Sequence, residues 1–442
     1  QEEEVKEEEK GEVEGPYRKF NHLSLSIKEH NKYIGITIGL NSDNESMWIN
    51  GIKQNAIFLM NALEKARHRV TLIDCNNKVE ADKSGKIADD KLIWDSKKFP
   101  IHKINTELEK LDVLIMLGVT LRIPSVKKFK GTVGNPNKKV IKYMCGNNYV
   151  IDMERNLFNE KTEETLWKYD GWVDECWYVP QQGYQNHEYY RVLMNLDADK
   201  VKPVPFVWDP MFIDEVEKFY SQDAAVPVYQ AKPSSEKQLC VMEPNMNVVK
   251  YSTIPLLIIE DAYVKYDIDF KTTNLISGTS LSKQKGWSSM MNNTSMIKNM
   301  IHCAGRVPVH TILANHADIV ISHQWENPLN YSYLDAMYLQ FPLIHNADMI
   351  KDAGYYYPDF NIGKGADQLK WVLENHDNNI DAYNAKNEEV LERYTVYNDD
   401  LISTYQILIG NLFKHDSTLK YDYDWKTNVY KAGSCRCIWV IM

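Results

Sequence analysis

The feature that most constrains this chain is the stretch ADIVISHQWENPLNYSYLDAMYLQFPLIHN, Ala317 to Asn346. Asp318 to Ser322 is a short apolar run led by β-branched residues, too brief for a helix, and reads as a buried strand. A polar crest follows from His323 to Asn330. Beyond it Tyr331, Leu334, Met337 and Tyr338 recur at helical spacing, and Phe341-Pro342-Leu343-Ile344 opens another strand. Strand, polar loop, helix and strand make a βαβ unit, whose crossover is right-handed in nearly every known case. In open α/β sheets the ligand sits beyond the carboxyl ends of the strands, where this crest falls.

The same rhythm runs twice along the chain. Tyr33–Leu40 reads as a buried strand, and the loop NSDNESMW with Asn50-Gly51 leads into a helix whose Ile52, Ala56, Leu59 and Leu63 share one face. Arg69–Asp74 is the next strand. The unit has the shape of half a Rossmann fold but lacks GxGxxG, so no dinucleotide fingerprint is supported. Further strands are expected at Val113–Leu117, Val140–Met144 and Glu175–Val179. Clustered Pro, Ala and Ser over residues 203–237 then break the rhythm. It restarts with a strand at Gln238–Met242, a helix at Val249–Val264 with Pro255 in its first turns, and a strand at Asn274–Gly278. A helix around Pro308 (Asn299–Ala314) and a closing helix at Asn398–Lys414 complete the pattern.

The expected organisation is α/β, with two Rossmann-like domains facing across a cleft. An acidic tail and lead-in cover residues 1–30, the first domain 31–205 and a linker 206–237. The second domain covers 238–414, with terminal helices packing back, and a tail 415–442 ends the chain. At 442 residues a single core is not expected.

The net charge is −10, but residues 1–15, with eight Glu and two Lys, carry −6 of it and read as a solvated tail. The near-neutral remainder shows no basic face, which argues against a nucleic-acid partner. No apolar run reaches the length of a membrane span, and no signal peptide is visible. The seven Cys are scattered rather than framed in pairs, which suits free thiols in a reducing compartment and hence a cytoplasmic protein. His302, His310, His316 and His323 match no compact ligand spacing, so no metal is expected.

The crest carries the chemistry. Glu326, Asn327 and Asn330 lie in the loop and Tyr331 and Asp335 in the first turns of the helix. A carboxylate there can accept both hydroxyls of a ribose. The unpaired N–H groups at the helix start can hold a diphosphate without metal. Glu243, Asn245 and Asn247 end a second-domain strand, with Lys250 one turn on. In the first domain Trp48, Asn50, Gly51, Gln54 and Asn55 sit where the first strand meets its helix. Gly51 would admit a phosphate or sugar close to backbone, and Trp48 offers a stacking platform.

The segment ENPLNYSYLDAMYLQFPLIHN is similar to the donor-binding motif of GT-B glycosyltransferases, in which an acidic residue precedes by eight positions a Glu followed by Ala, with a Gly shortly before the next strand. Asp335-Ala336-Met337 stands for the second acidic residue and its neighbours. Asn327 occupies the first acidic position with Glu326 one step out of register, and Gln340 stands where that Gly is usual. With SMWINGIKQNAIFL, EPNMNVVKYSTIPLLIIEDAY and DAGYYYPDF, the segment also resembles a family of uncharacterised proteins, a domain of unknown function. The resemblance implies a GT-B architecture and sugar transfer from a nucleotide-sugar substrate, with no further cofactor. Lys250, His323 and Glu326 are then the catalytic candidates. Glu243, Asn245, Asn247, Asn327, Asn330, Tyr331 and Asp335 would bind the donor, and the first-domain cluster would meet acceptor or phosphate. Retention of anomeric configuration is expected by analogy. A sugar-nucleotide epimerase, or a catalytically degenerate glycan-binding or structural protein on the same fold, are the alternatives.

Overall fold

A computed structural model describes residues 31–42, 51–76, 78–87, 99–131, 134–158, 167–214, 227–295, 300–414 and 421–432. The acidic tail, Trp48 and Asn50 lie outside the described residues. The first sheet has seven strands: β1 (Tyr33–Ile38), β2 (Arg69–Asp74), β3 (Ile101–Lys103), β4 (Val113–Met116), β5 (Lys139–Met144), β6 (Glu175–Tyr178) and β7 (Val201–Pro203), in the order β3-β2-β1-β4-β5-β6-β7. Every pairing is parallel. The second sheet comprises β8 (Gln238–Val241), β9 (Thr272–Leu275), β10 (Ile301–Cys303), β11 (Ile319–Ile321), β12 (Leu343–His345) and β13 (Tyr355–Tyr356). Its order is β10-β9-β8-β11-β12-β13, again all parallel. Strands such as β1 are buried at every residue because helices cover both faces, so they read as continuous apolar runs rather than alternating ones.

Each sheet reverses its winding once, between β1 and β4 and between β8 and β11. The loops leaving β8 and β11 flank that reversal and carry the residues expected to bind the donor. Helices α1 (Gly51–Lys65), α2 (Asn148–Phe158) and α3 (Gly183–Met194) belong to the first domain. Helices α4 (Thr253–Tyr266), α5 (Val309–Asn315), α6 (Tyr331–Tyr338) and α7 (Ile362–Asn375) cover the second. The closing helix α8 (Asp399–Asn411) crosses back to the first domain, where Gln406 donates to Ala66 O of the α1 turn. A single hydrophobic cluster therefore runs from α1 through Phe206, Trp208 and Phe212 of the linker to α6 and α8. Ring contacts fasten it: Phe58 of α1 meets Tyr331 of α6 edge-on at 5.0 Å, and Phe206 meets Tyr331 at 4.8 Å.

Two segments differ from expectation. Asn299–Ala314 is not one helix: Ile301–Cys303 pairs with β9, and α5 begins only at Val309. Gly305 and Pro308 interrupt the run, and Pro308, which has no N–H to donate, takes the cap position. Within the expected C-terminal tail, residues 421–432 form an antiparallel hairpin, and Asn428 at its turn bonds both the N–H and the carbonyl of Phe206.

The departure at Gln340 has a backbone consequence. Gln340 N–H bonds Met337 O and Phe341 N–H bonds Ala336 O, the pattern of a Schellman helix end, with Gln340 at φ 65°. A side chain in that left-handed well costs about 1–2 kcal/mol. Gln340→Gly should therefore stabilise the fold by roughly 0.5–1 kcal/mol after glycine's own entropic cost. Urea denaturation checks this, and a lower midpoint would refute it.

Candidate active site

A cavity of about 230 Å³ opens between the domains at the reversal of the second sheet. Gly51 and Gln54, at the start of α1, form its first-domain wall. Phe212 and Ile213 of the linker close one end, and Lys250, Asn330, Tyr331, Ser332 and Asp335 line the second-domain wall. Of the residues singled out in the sequence, the cavity thus gathers Gly51, Gln54, Lys250, Asn330, Tyr331 and Asp335. Asn55 is buried one residue beyond Gln54 and is not in the lining.

The loop after β8 is built around Asn245, at φ 53°. Its Oδ1 accepts from Ser252 N–H (3.0 Å) and Ser252 Oγ–H (2.8 Å), while its amide donates to Glu243 O. Asn245 therefore shapes the loop that presents Lys250 and is absent from the cavity wall. Asn247 is half-buried on the same loop, its Oδ1 without a partner among the described residues, and also lies outside the wall.

Glu243 is buried beneath Lys250. Its Oε1 accepts from Ser322 Oγ–H and from the His323 N–H at 3.1 Å. Burial pushes its carboxyl up to about 7, against the pull of those hydrogen bonds and of Lys250. Burial likewise depresses Lys250 to about 8, and the Glu243 charge limits the fall. Lys250 lines the cavity, and the Glu243 charge favours its ammonium form. Asp335 is pushed up to about 7 by burial, opposed by a hydrogen bond donated from Trp208 Nε1 at 2.9 Å.

His323 turns away from the cavity. Tyr357 Oη donates to Ser322 O at 2.9 Å, so its oxygen accepts from His323 Nδ1–H at 3.0 Å. That fixes a neutral tautomer whose buried Nε2 has no partner among the described residues, and burial lowers its pKa to about 4. Glu326 and Asn327 face the first domain. Asn147 Nδ2 donates to Glu326 O at 3.0 Å, Gln185 Nε2 to the Glu326 carboxylate, and Gln182 Nε2 to Asn327 Oδ1 at 3.0 Å. Val248 N–H adds a bond to Glu154 of α2. These contacts form a polar seam beside the cavity, and Glu326 sits in it at φ 57°.

The remaining wall was not legible. Ser277 follows β9, and Arg306 to His310 lead from β10 into α5. Arg306 is exposed there, while His310 is buried and depressed to about 4 by desolvation. The Gly305…Pro308 punctuation marked this loop, but reading a helix across it hid both residues.

Paired parallel sheets with a cleft at their switch points define the GT-B glycosyltransferase fold, and solved structures agree. An α-glucosyltransferase bound to UDP-glucose and abasic DNA is similar at TM-score 0.53 and 13% identity, covering 87% of this chain and 100% of that one. TarM is similar at TM-score 0.51 and 10% identity over 87% and 99% of the two chains. The pneumococcal O-GlcNAc transferase GtfA, with UDP and GlcNAc, reaches 0.50 at 9% identity over 88% and 100%. At such identities the likeness is one of fold. The chain belongs to the family described as "Protein of unknown function (DUF2827)", which it matches over residues 34–409. No curated protein matches it. Among the described residues no helix is long and apolar enough to cross a membrane.

Proposed function

We propose that this protein transfers a sugar from a nucleoside-diphosphate donor, held mainly by the second domain, to an acceptor presented by the first. The observation that carries the reading is the convergence of Lys250 and Asp335 on one interdomain cavity at the sheet's switch point. Asp335, when ionised, accepts hydrogen bonds from the ribose hydroxyls. The first-turn amides of α6, whose cap residue Asn330 makes no side-chain bond to them, receive the diphosphate. As the bond from the sugar C1 to the diphosphate oxygen breaks, negative charge grows on the leaving group, and Lys250 stabilises it without needing a resident metal. An acceptor hydroxyl oxygen then bonds to C1, and its proton passes to the departing diphosphate. Glu326 and His323 have no such placement: the first is tied to the first domain and the second is packed against Tyr357, so neither is assigned a step on the leaving group.

Expression of the chain and incubation with a panel of nucleotide-sugars tests this. UDP-sugars come first, because UDP occupies similar folds. Released nucleoside diphosphate and a donor-dependent rise in melting temperature support transfer. An epimerised donor would support the epimerase. Glycan binding without any nucleotide response would support the degenerate alternative. The anomeric configuration of the product decides between retention and inversion.

A further inference from the structure

Asp335 receives one side-chain hydrogen bond, and the donor comes from the linker rather than from its own domain. Trp208 is fully buried. Its backbone N–H bonds Tyr394 O at 2.7 Å, and its ring meets Tyr338 edge-on at 5.5 Å. The next residue, Asp209, accepts from Asn61 Nδ2 of α1 at 2.5 Å and from Met211 N–H at 2.9 Å. Two adjacent linker residues thus hold one helix from each side of the cavity: α6, which carries Asp335, and α1, whose first turn supplies Gly51 and Gln54.

We infer that Trp208 is a positioning residue for nucleotide binding, fixing the Asp335 carboxylate so that its second oxygen faces the ribose. Oδ1 receives the indole N–H and keeps one lone pair, and Oδ2 has no hydrogen-bond partner among the described residues. Bidentate acceptance of a ribose diol needs that arrangement. A freely rotating carboxylate would offer it only part of the time. The indole bond also favours the ionised form over the protonated one in a site where burial does the reverse. Other titratable groups around it are Lys250, Arg306 and His310, which line the same cavity, and Tyr331 one turn earlier; Asp209 and Asp214 of the linker act on Tyr338, whose ring meets Trp208. This inference rests on the proposed function, and its test separates the two.

The experiment is calorimetric titration of the full chain with UDP, GDP and ADP between pH 5.5 and 8.5, for wild type, Trp208→Phe and Asp335→Asn. Wild-type affinity should rise with pH through about 7, as the carboxyl ionises, and fall again above about 8, as Lys250 loses its proton. Asp335→Asn should remove the rise and keep the fall. Trp208→Phe should bind about tenfold more weakly at pH 7, with the midpoint of the rise moved to higher pH. Loss of packing alone would weaken binding equally at every pH. Wild type failing to bind any nucleotide overturns both readings. Wild type binding with Trp208→Phe unchanged in affinity and midpoint overturns only this one. Should Trp208→Phe not fold, wild type labelled with ¹⁵N tryptophan still decides: one indole N–H resonance should titrate near pH 7 and move in Asp335→Asn, and its absence refutes the role.

Discussion

Lys250→Ala should lower sugar transfer by about 10²–10³-fold while leaving the fold intact. The ammonium is the basic side chain set above a buried carboxylate in the cavity wall, and nothing in the hydrophobic core leans on it. Its contribution grows as charge moves onto the leaving diphosphate, so kcat should fall more than KM rises. A variant that keeps full kcat would remove Lys250 from the reaction.

Glu243 supplies the sign of a companion effect. Its charge opposes the fall of the Lys250 pKa, which burial still brings down to about 8. Glu243→Gln removes that support, so Lys250 should lose its proton at a lower pH than in wild type. The alkaline limb of the pH–rate profile should therefore move toward acid, with activity partly restored as the pH is lowered. The same substitution relieves a strained group. The folded carboxyl sits near 7, above its unfolded value, so the stability it contributes is present in acid and lost as pH rises through 7. Glu243→Gln should thus gain stability relative to wild type in the alkaline range. Opposite movements of stability and activity would mark the pair as functional rather than structural.

The fold was legible where strands are buried and mainly apolar. β1, β2, β4, β5, β6, β8 and β11 each show such a run ending at a polar, Gly or Pro turn. β3, β7 and β10, three-residue strands at sheet edges, show no period and were missed. The second-domain side of the candidate site was legible for a related reason: the apolar run of a buried strand stops abruptly at the crest and at Glu243, so polar residues there stand out. Partnerships across the cleft were not. The bond from Gln182 to Asn327 joins residues 145 apart, and no periodicity encodes it. Trp208 is the clearest case. In a proline-rich linker it reads as one more apolar residue, and only tertiary packing places its indole N–H against Asp335. Gln340 and Asn327 replace the glycine and the acidic residue usual at those places. Backbone geometry gives the first a small energetic cost, and the second position is filled by an amide that joins the two domains.

Asp335→Ala should weaken nucleoside-diphosphate binding by about 100-fold, the worth of two coupled hydrogen bonds from ribose hydroxyls to a carboxylate. Asp335→Asn, which keeps one acceptor oxygen, should lose about tenfold. The sharper readout is discrimination at the sugar. A site built to bond both hydroxyls rejects an analogue lacking one, because its buried acceptor is then unpaired. Wild type should accordingly prefer UDP to 2′-deoxy-UDP by about 10-fold or more, and in Asp335→Ala the two should bind alike. Stability moves in two directions. Removing the carboxylate leaves the buried Trp208 N–H without an acceptor, at a cost of about 1–3 kcal/mol. Asparagine keeps that bond and sheds a carboxyl whose folded pKa, near 7, makes its ionisation unfavourable to the fold as pH rises. Asp335→Asn should therefore melt higher than wild type at pH 8 and bind nucleotide less well, whereas Asp335→Ala should lose on both counts. Equal affinity of wild type for the ribo- and deoxyribonucleotide would mean that Asp335 does not meet the ribose.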